Sequence, residues 1–228
     1  MKKKIQRIWQ LVSLEFIAVA AVFLLALFSL SLIIHEALYE REDVFDNNVL
    51  HFFALHPSPL LIATMKEVTF FGSTTFLFPA YLVLTGWYIA KNKFAYAIDI
   101  AIIGISSTAM MFALKQFFHR HRPQLPIIKG ISGYSFPSGH SLSSFVFCTI
   151  LIYLVWKGNL RRGYKYFLTM LLLLCPLMIG LSRIILNVHY ATDVIGGFCL
   201  AIVWVIPSLI ILQKIRKKKL PGFDEAGS

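Results

Sequence analysis

The chain has 228 residues, of which 57% are hydrophobic and only 14% charged, with a mean hydropathy of +0.71. A soluble domain carries about a quarter charged residues, so the polar surface here is too small for water and the solvent is lipid. The formal charge of +11 does not point to a nucleic-acid partner, because the basic residues gather at the ends of apolar runs and not on one polar face.

The apolar runs predict an all-α polytopic membrane protein of six transmembrane helices, each of the ~20 residues needed to cross the hydrocarbon core. The first run, 14–34, follows Met1-Lys2-Lys3-Lys4, as a signal peptide would. It is too long for a signal h-region and ends in no small-residue cleavage site, so it reads as a retained span. The first outer loop, 35–59, is acidic at Glu36, Glu40, Glu42, Asp43 and Asp46. Phe45, Val49, Phe52 and Phe53 then recur at helical spacing, with Asn47, Asn48 and His51 opposite. This pattern predicts a short helix lying in the membrane interface; the alternative is an ordinary loop whose aromatics pack on the bundle. A second short apolar piece, 57–71, is broken at Gly72. Five further spans are predicted at 73–90, 94–118, 138–156, 166–185 and 190–212. Pro79, Pro176 and Pro207 fall inside three of them and predict kinks, since membrane helices tolerate proline. Cys148, Cys175 and Cys199 lie within apolar runs, where thiols act as small hydrophobes, so no disulfide framework is expected. Residues 1–219 read as one transmembrane domain, and 220–228 as a polar tail.

Lysine and arginine orient the bundle. Lys2, Lys3, Lys4 and Arg7 precede the first span, and Lys91 and Lys93 join the second to the third. Lys157, Arg161, Arg162 and Lys165 join the fourth to the fifth, and Lys214, Arg216, Lys217, Lys218 and Lys219 follow the last. Fifteen of the 22 basic residues thus fall on one side, which the positive-inside rule makes cytoplasmic, with both termini there.

Three segments at the opposite face carry chemistry. In KQFFHRHRP, Lys115 lies near the end of a span, where ionisable groups are costly and mark function. Snorkelling to the headgroups is the other reading. Arg122 follows seven positions on, on the same face if the helix persists, and Pro123 bars continuation. His119, Arg120 and His121 are assigned to an exposed rim, and spacing supplies the two histidines with no third metal ligand. In FPSGHS, Ser138 can cap a helix whose free N–H groups and dipole suit an anion. Gly139 admits a phosphate close to the backbone, and His140 occupies the first turn. Taken alone, that string is equally an N-cap followed by an idle histidine. In SRIILNVHYATD, His189 and Asp193 lie four apart on one helical face, where the carboxylate fixes the tautomer and raises the basicity of the other ring nitrogen. Such an imidazole suits nucleophilic attack, although a structural His–Asp pair has the same spacing. Arg183 adds a planar fork for phosphate oxygens.

The three blocks, Lys-x6-Arg-Pro, Pro-Ser-Gly-His and Ser-Arg-x5-His-x3-Asp, resemble in order and without departure the type 2 phosphatidic acid phosphatase family. The resemblance covers residues 73–212, and it implies a compact six-helix membrane phosphatase with its site at one rim. It implies that His189 attacks phosphorus, that Asp193 orients it, and that His140 protonates the leaving oxygen. Lys115, Arg122, Arg183, Ser138 and Gly139 would hold the non-bridging oxygens. With three fixed cations, no metal or other cofactor is expected. The implied substrate is a lipid phosphate in the bilayer, phosphatidylglycerophosphate first and undecaprenyl pyrophosphate as the alternative. No protein or nucleic-acid partner is called for. A non-enzymatic lipid-phosphate binder or transporter would need the cations but not the His189–Asp193 pair.

Overall fold

The computed structural model describes residues 14–35, 44–54 and 58–219. Lys2, Lys3, Lys4, Arg7, the acidic residues Glu36, Glu40, Glu42 and Asp43, and the tail at 220–228 lie outside the described residues.

All secondary structure among the described residues is helical. In chain order the helices are α1 (Leu14–Ile33), α2 (Val44–Ala54), α3 (Pro59–Phe70), α4 (Thr74–Ala90), α5 (Phe94–Phe118), α6 (Gly139–Lys157), α7 (Arg162–Ile185) and α8 (Ala191–Lys219). Among the described residues, five segments are long and apolar enough to cross a membrane, counting α3 and α4 as one across the turn at Gly72, and α1 supplies a shorter apolar helix. The protein is therefore a multi-pass membrane protein. Its surface agrees, with Val83, Ile105, Phe117 and Met170 all exposed on helix faces. In water such a surface would be a large aggregation-prone patch; in lipid it is the solvated face.

The helices run through Pro79, Pro176 and Pro207 without ending. α8 continues past the expected limit to Lys219, because Lys and Arg are good helix formers and favourable at a helix C-terminus. Arg216 is not a solvated cation there. It is buried, paired with Asp99 of α5 and stacked over Tyr96 at 4.7 Å. Cys148 and Cys199 are buried and Cys175 is exposed, all three as free thiols.

The centre of the bundle is the pair α6 and α8. On α6, Leu142, Val146, Ile150 and Leu154 recur every fourth residue and are buried, which is the stripe a helix needs to pack. On α8, Ala201 and Val205 meet them. Gly197 sets the spacing: a Cβ there would lie 3.0 Å from the Ser138 carbonyl oxygen and 3.3 Å from the Leu142 nitrogen. The start of α6 is thus seated on the α8 backbone, which brings the FPSGHS and HYATD segments together. A second apolar cluster, built on Met65, Ile185, Leu186 and Val188 with Ile128 and Ile131, supports the outer loop.

The short helix expected in the first outer loop forms as α2. Phe45 and Phe52 are exposed, whereas Asp46 is buried at 1% and Phe53 packs on the second cluster. Phe53 docks α2 on that cluster, and the Asp46 carboxylate anchors it by accepting from Arg120 and from the Thr192 N–H.

Candidate active site

α5 stops at Phe118, and His119 closes it in a left-handed conformation at φ 49. Lys115 and Arg122 therefore do not share one continuous helix. The chain folds back, and both still reach one place. Lys115 Nζ donates to the carbonyl oxygens of Tyr134 at 2.7 Å and Ser135 at 3.2 Å. Arg122 donates through Nε to Gly133 O at 3.0 Å and through Nη1 to Val188 O at 2.8 Å. These bonds tie the loop between α5 and α6, residues 119–138, to the turn that carries His189.

Arg122 Nη1 also lies 3.1 Å from His189 Nε2. A guanidinium only donates, so Nε2 carries the lone pair and Nδ1 the hydrogen. That hydrogen points to Asp193 Oδ2, 3.3 Å away, with Ser135 Oγ at the same distance. Asp193 is fully buried and also accepts from Ser135 Oγ, from the Tyr190 N–H at 3.0 Å and from Arg120. The expected pair therefore exists, with the imidazole held in one tautomer and Nε2 directed to the cations.

Burial pushes the His189 imidazole down to about 4; Arg122 and Arg183 add to the effect and Asp193 opposes it. Burial likewise lowers Arg122, against the pull of Asp193. The neutral ring is the form that keeps the Nε2 lone pair. Because its folded value lies below its unfolded one, the unfolded chain binds the extra proton first, and stability from this group is lost as pH falls from about 6.5 to 4. The acid limb that His189 contributes to kcat/KM is expected near pH 4. A limb near pH 6.5 would mean that the ring is solvated.

Arg183 is 4% exposed and donates through Nη1 to Thr69 Oγ1 at 2.6 Å, while its buried Nε has no hydrogen-bond partner. An unmatched charged donor is costly to bury, and an oxyanion would satisfy it. Lys115, Arg122, Arg183, His140, His189 and Gly139 line one cavity of about 360 Å³. Gly72 allows this closeness: a Cβ there would meet Ile179 Cγ2 at 2.5 Å and His140 Cβ at 3.2 Å. Gly139 has a second reason to be small, since its Cβ would meet Met111 Sδ at 2.9 Å.

Ser138 departs from its expected role. It stands at the N-cap position, yet its side chain makes no cap bond. Its hydroxyl is fully buried and accepts from Ser141 Oγ at 2.9 Å, outside the cavity lining. The buried hydroxyl is turned to a side-chain partner, away from the backbone donors it was expected to cap.

Four participants were not found in the sequence: Asp46, Thr69, Arg120 and Ser135. Arg120 is 9% exposed, not a rim residue. It bridges Asp46 at 2.8 Å and Asp193 at 2.9 Å and stacks over Tyr190. The signal available was Arg120's place inside KQFFHRHRP; nothing in the loop marked Asp46 as inward.

Residues 94–217 match the PAP2 superfamily. The chain belongs to this family. It is a PAP2 phosphatase related to phosphatidylglycerophosphatase B of Bacillus subtilis (strain 168), to which it is 28% identical over 169 residues, 73% of this chain and 77% of the relative. The crystal structure of the transmembrane PAP2 type phosphatidylglycerolphosphate phosphatase from Bacillus subtilis superposes with a TM-score of 0.73 at 24% identity, covering 86% of this chain and 96% of that one. Aquifex aeolicus LpxE superposes with a TM-score of 0.59, also at 24% identity, covering 74% and 97%. Both likenesses concern the fold. All eight expected site residues lie within the matched PAP2 region; Asp46 and Thr69 lie outside it.

Proposed function

We propose that this PAP2 phosphatase hydrolyses the terminal phosphate of a membrane phospholipid, phosphatidylglycerophosphate above all, at the extracytoplasmic face of the cell membrane. The observation that carries this reading is the shared cavity: a neutral imidazole Nε2, three cations and a second histidine converge there. Beside it, an apolar groove of about 470 Å³ runs along α4 past Phe76, Pro79, Val83 and Trp87, and Phe70 borders both. A phosphate headgroup fits the first and an acyl chain the second. The named activity of the Bacillus relative supports the choice of headgroup.

In the mechanism, the phosphate oxygens take up Arg183 Nε and draw Arg122 from Nε2. His189 Nε2 then attacks phosphorus, the P–O bond to the lipid breaks, and His140 gives its proton to the departing oxygen. Water next attacks the phosphohistidine, His140 takes the water's proton, the P–N bond breaks, and inorganic phosphate leaves. Little covalent assistance is needed beyond the nucleophile; the fixed cations stabilise charge on the equatorial oxygens.

The test is phosphate release by the purified full chain from phosphatidylglycerophosphate, phosphatidic acid and undecaprenyl pyrophosphate, each with EDTA present. Fastest release from phosphatidylglycerophosphate, undiminished by EDTA, is the expected result. Faster release from undecaprenyl pyrophosphate would reassign the substrate, and activity lost to EDTA and restored by Mg²⁺ would overturn the metal-free mechanism.

A further inference from the structure

Asp193 faces two ways. Its Oδ2 receives the His189 Nδ1–H, and its Oδ1 receives Arg120 Nη1 at 2.9 Å. Arg120 Nη1 also donates to Thr192 Oγ1 at 2.7 Å, and Nη2 donates to Asp46 Oδ2 at 2.8 Å. Asp46 in turn accepts from the Thr192 N–H at 2.9 Å and from the Thr192 hydroxyl. Asp46, Arg120 and Asp193 are each 9% exposed or less. The Arg120 carbonyl oxygen accepts from the Ser135 N–H at 2.7 Å, so the same residue also sets the backbone of the serine that contacts Asp193.

The charges explain the arrangement. A buried arginine with Asp193 as its sole carboxylate would draw that carboxylate from the imidazole, since a charge-assisted pair outcompetes a bond to a neutral ring. A second carboxylate on the far side of the guanidinium divides its pull. Two buried carboxylates without the cation between them would repel. The guanidinium fork spans both, which an ammonium cannot do.

We propose that Asp46 and Arg120 are positioning residues for catalysis: α2 reaches into the active site through Asp46 and, by way of Arg120, holds Asp193 in the orientation that fixes the His189 tautomer. The first outer-loop helix is thus part of the catalytic machinery and not only a surface lying on the bundle. The inference rests on the phosphohistidine reading above.

The experiment compares Asp46→Asn in the wild-type and Asp193→Asn backgrounds, with phosphatidylglycerophosphate as the probe and kcat and KM measured separately. Wild type and His189→Ala serve as controls. If the wild type releases phosphate and His189→Ala does not, the underlying reading stands and the comparison addresses the positioning role alone. Misplacement of a reacting group by ~1 Å costs about 100-fold. Asp46→Asn is therefore expected to lower kcat by about 10- to 100-fold with KM little changed. In Asp193→Asn it is expected to cost about twofold or less, because its route of action is already gone. A merely structural Asp46 would cost the same factor in both backgrounds, and a guide for the lipid would raise KM; either result overturns the proposal. Should Asp46→Asn fail to yield folded protein, Thr192→Val removes the hydroxyl between Asp46 and Arg120 and is judged by the same background dependence. Arg120→Lys, which keeps the charge and loses the fork, is expected to restore less than half of the Arg120→Met loss.

Discussion

His189→Ala is expected to abolish phosphate release, with a loss of about 10⁴-fold or more, as for removal of the nucleophile in other covalent mechanisms. The size follows from the geometry. Nε2 is the atom of the site with a lone pair, a neutral charge state and a fixed direction, because Arg122 occupies one side of the ring and Asp193 holds the other. Lys115, Arg122 and Arg183 cannot substitute, being cations with no lone pair to offer while charged, and in the proposed mechanism His140 is taken up by the proton transfers. The variant should still bind lipid phosphate, since all three cations remain in the cavity. Acid-quenched wild type incubated with ³²P-labelled substrate should carry acid-labile, base-stable label, and His189→Ala should carry none. A variant that keeps more than about a hundredth of the activity would exclude His189 as the nucleophile.

His140→Gln is expected to separate the two half-reactions. Loss of a positioned acid–base group costs about 10²–10⁴-fold, and the loss should depend on the leaving group. With a phospholipid, whose alkoxide leaves poorly without a proton, the fall should reach the upper part of that range. With p-nitrophenyl phosphate, whose phenolate needs no proton, formation of the phosphohistidine should be nearly unaffected and its hydrolysis slowed. A burst of nitrophenol equal to the enzyme concentration, followed by a slow steady rate, is the expected trace. An equal loss on both substrates with no burst would assign the proton transfers to another group. The position of His140 makes it suited to this role: it lines the cavity from the first turn of α6, beside the Gly72 turn, where any larger residue would place a Cβ 3.2 Å from the His140 Cβ.

Much of this site could be read from the chain because its parts are local. Lys115 and Arg122, Gly139 and His140, and His189 and Asp193 each fall within eight residues of one another, so one short motif holds each pair, although Arg122 lies past the end of α5 and His189 in the turn before α8. The six apolar runs were legible for the same reason, since a membrane span is a property of ~20 consecutive residues. The misreadings share the opposite property. The rim assigned to His119, Arg120 and His121 holds for the two histidines, which are exposed, and fails for Arg120 between them. Its burial comes from Asp46, 74 positions earlier, and Asp193, 73 positions later. Ser138 was taken for a helix cap because serine favours that position, but the direction of its hydroxyl was set by Ser141 and by burial beneath α8. In α2 the aromatic spacing is enough to predict the helix, but it carries no sign of Asp46 as the contact with the bundle.

The sequence by itself determined the solvent, the number of apolar runs and the residue types in each motif. Each of these is written in composition or short-range order, which hydropathy and the helix period convert directly into structure. The tertiary structure alone decided which of those residues share a cavity, which ring nitrogen of His189 is free, and that the Asp46 carboxylate of α2 stands behind the His189–Asp193 pair. These are contacts between segments far apart in the chain, and their identity depends on how α2, α6 and α8 pack: a buried charge must find its counter-charge wherever the fold brings one.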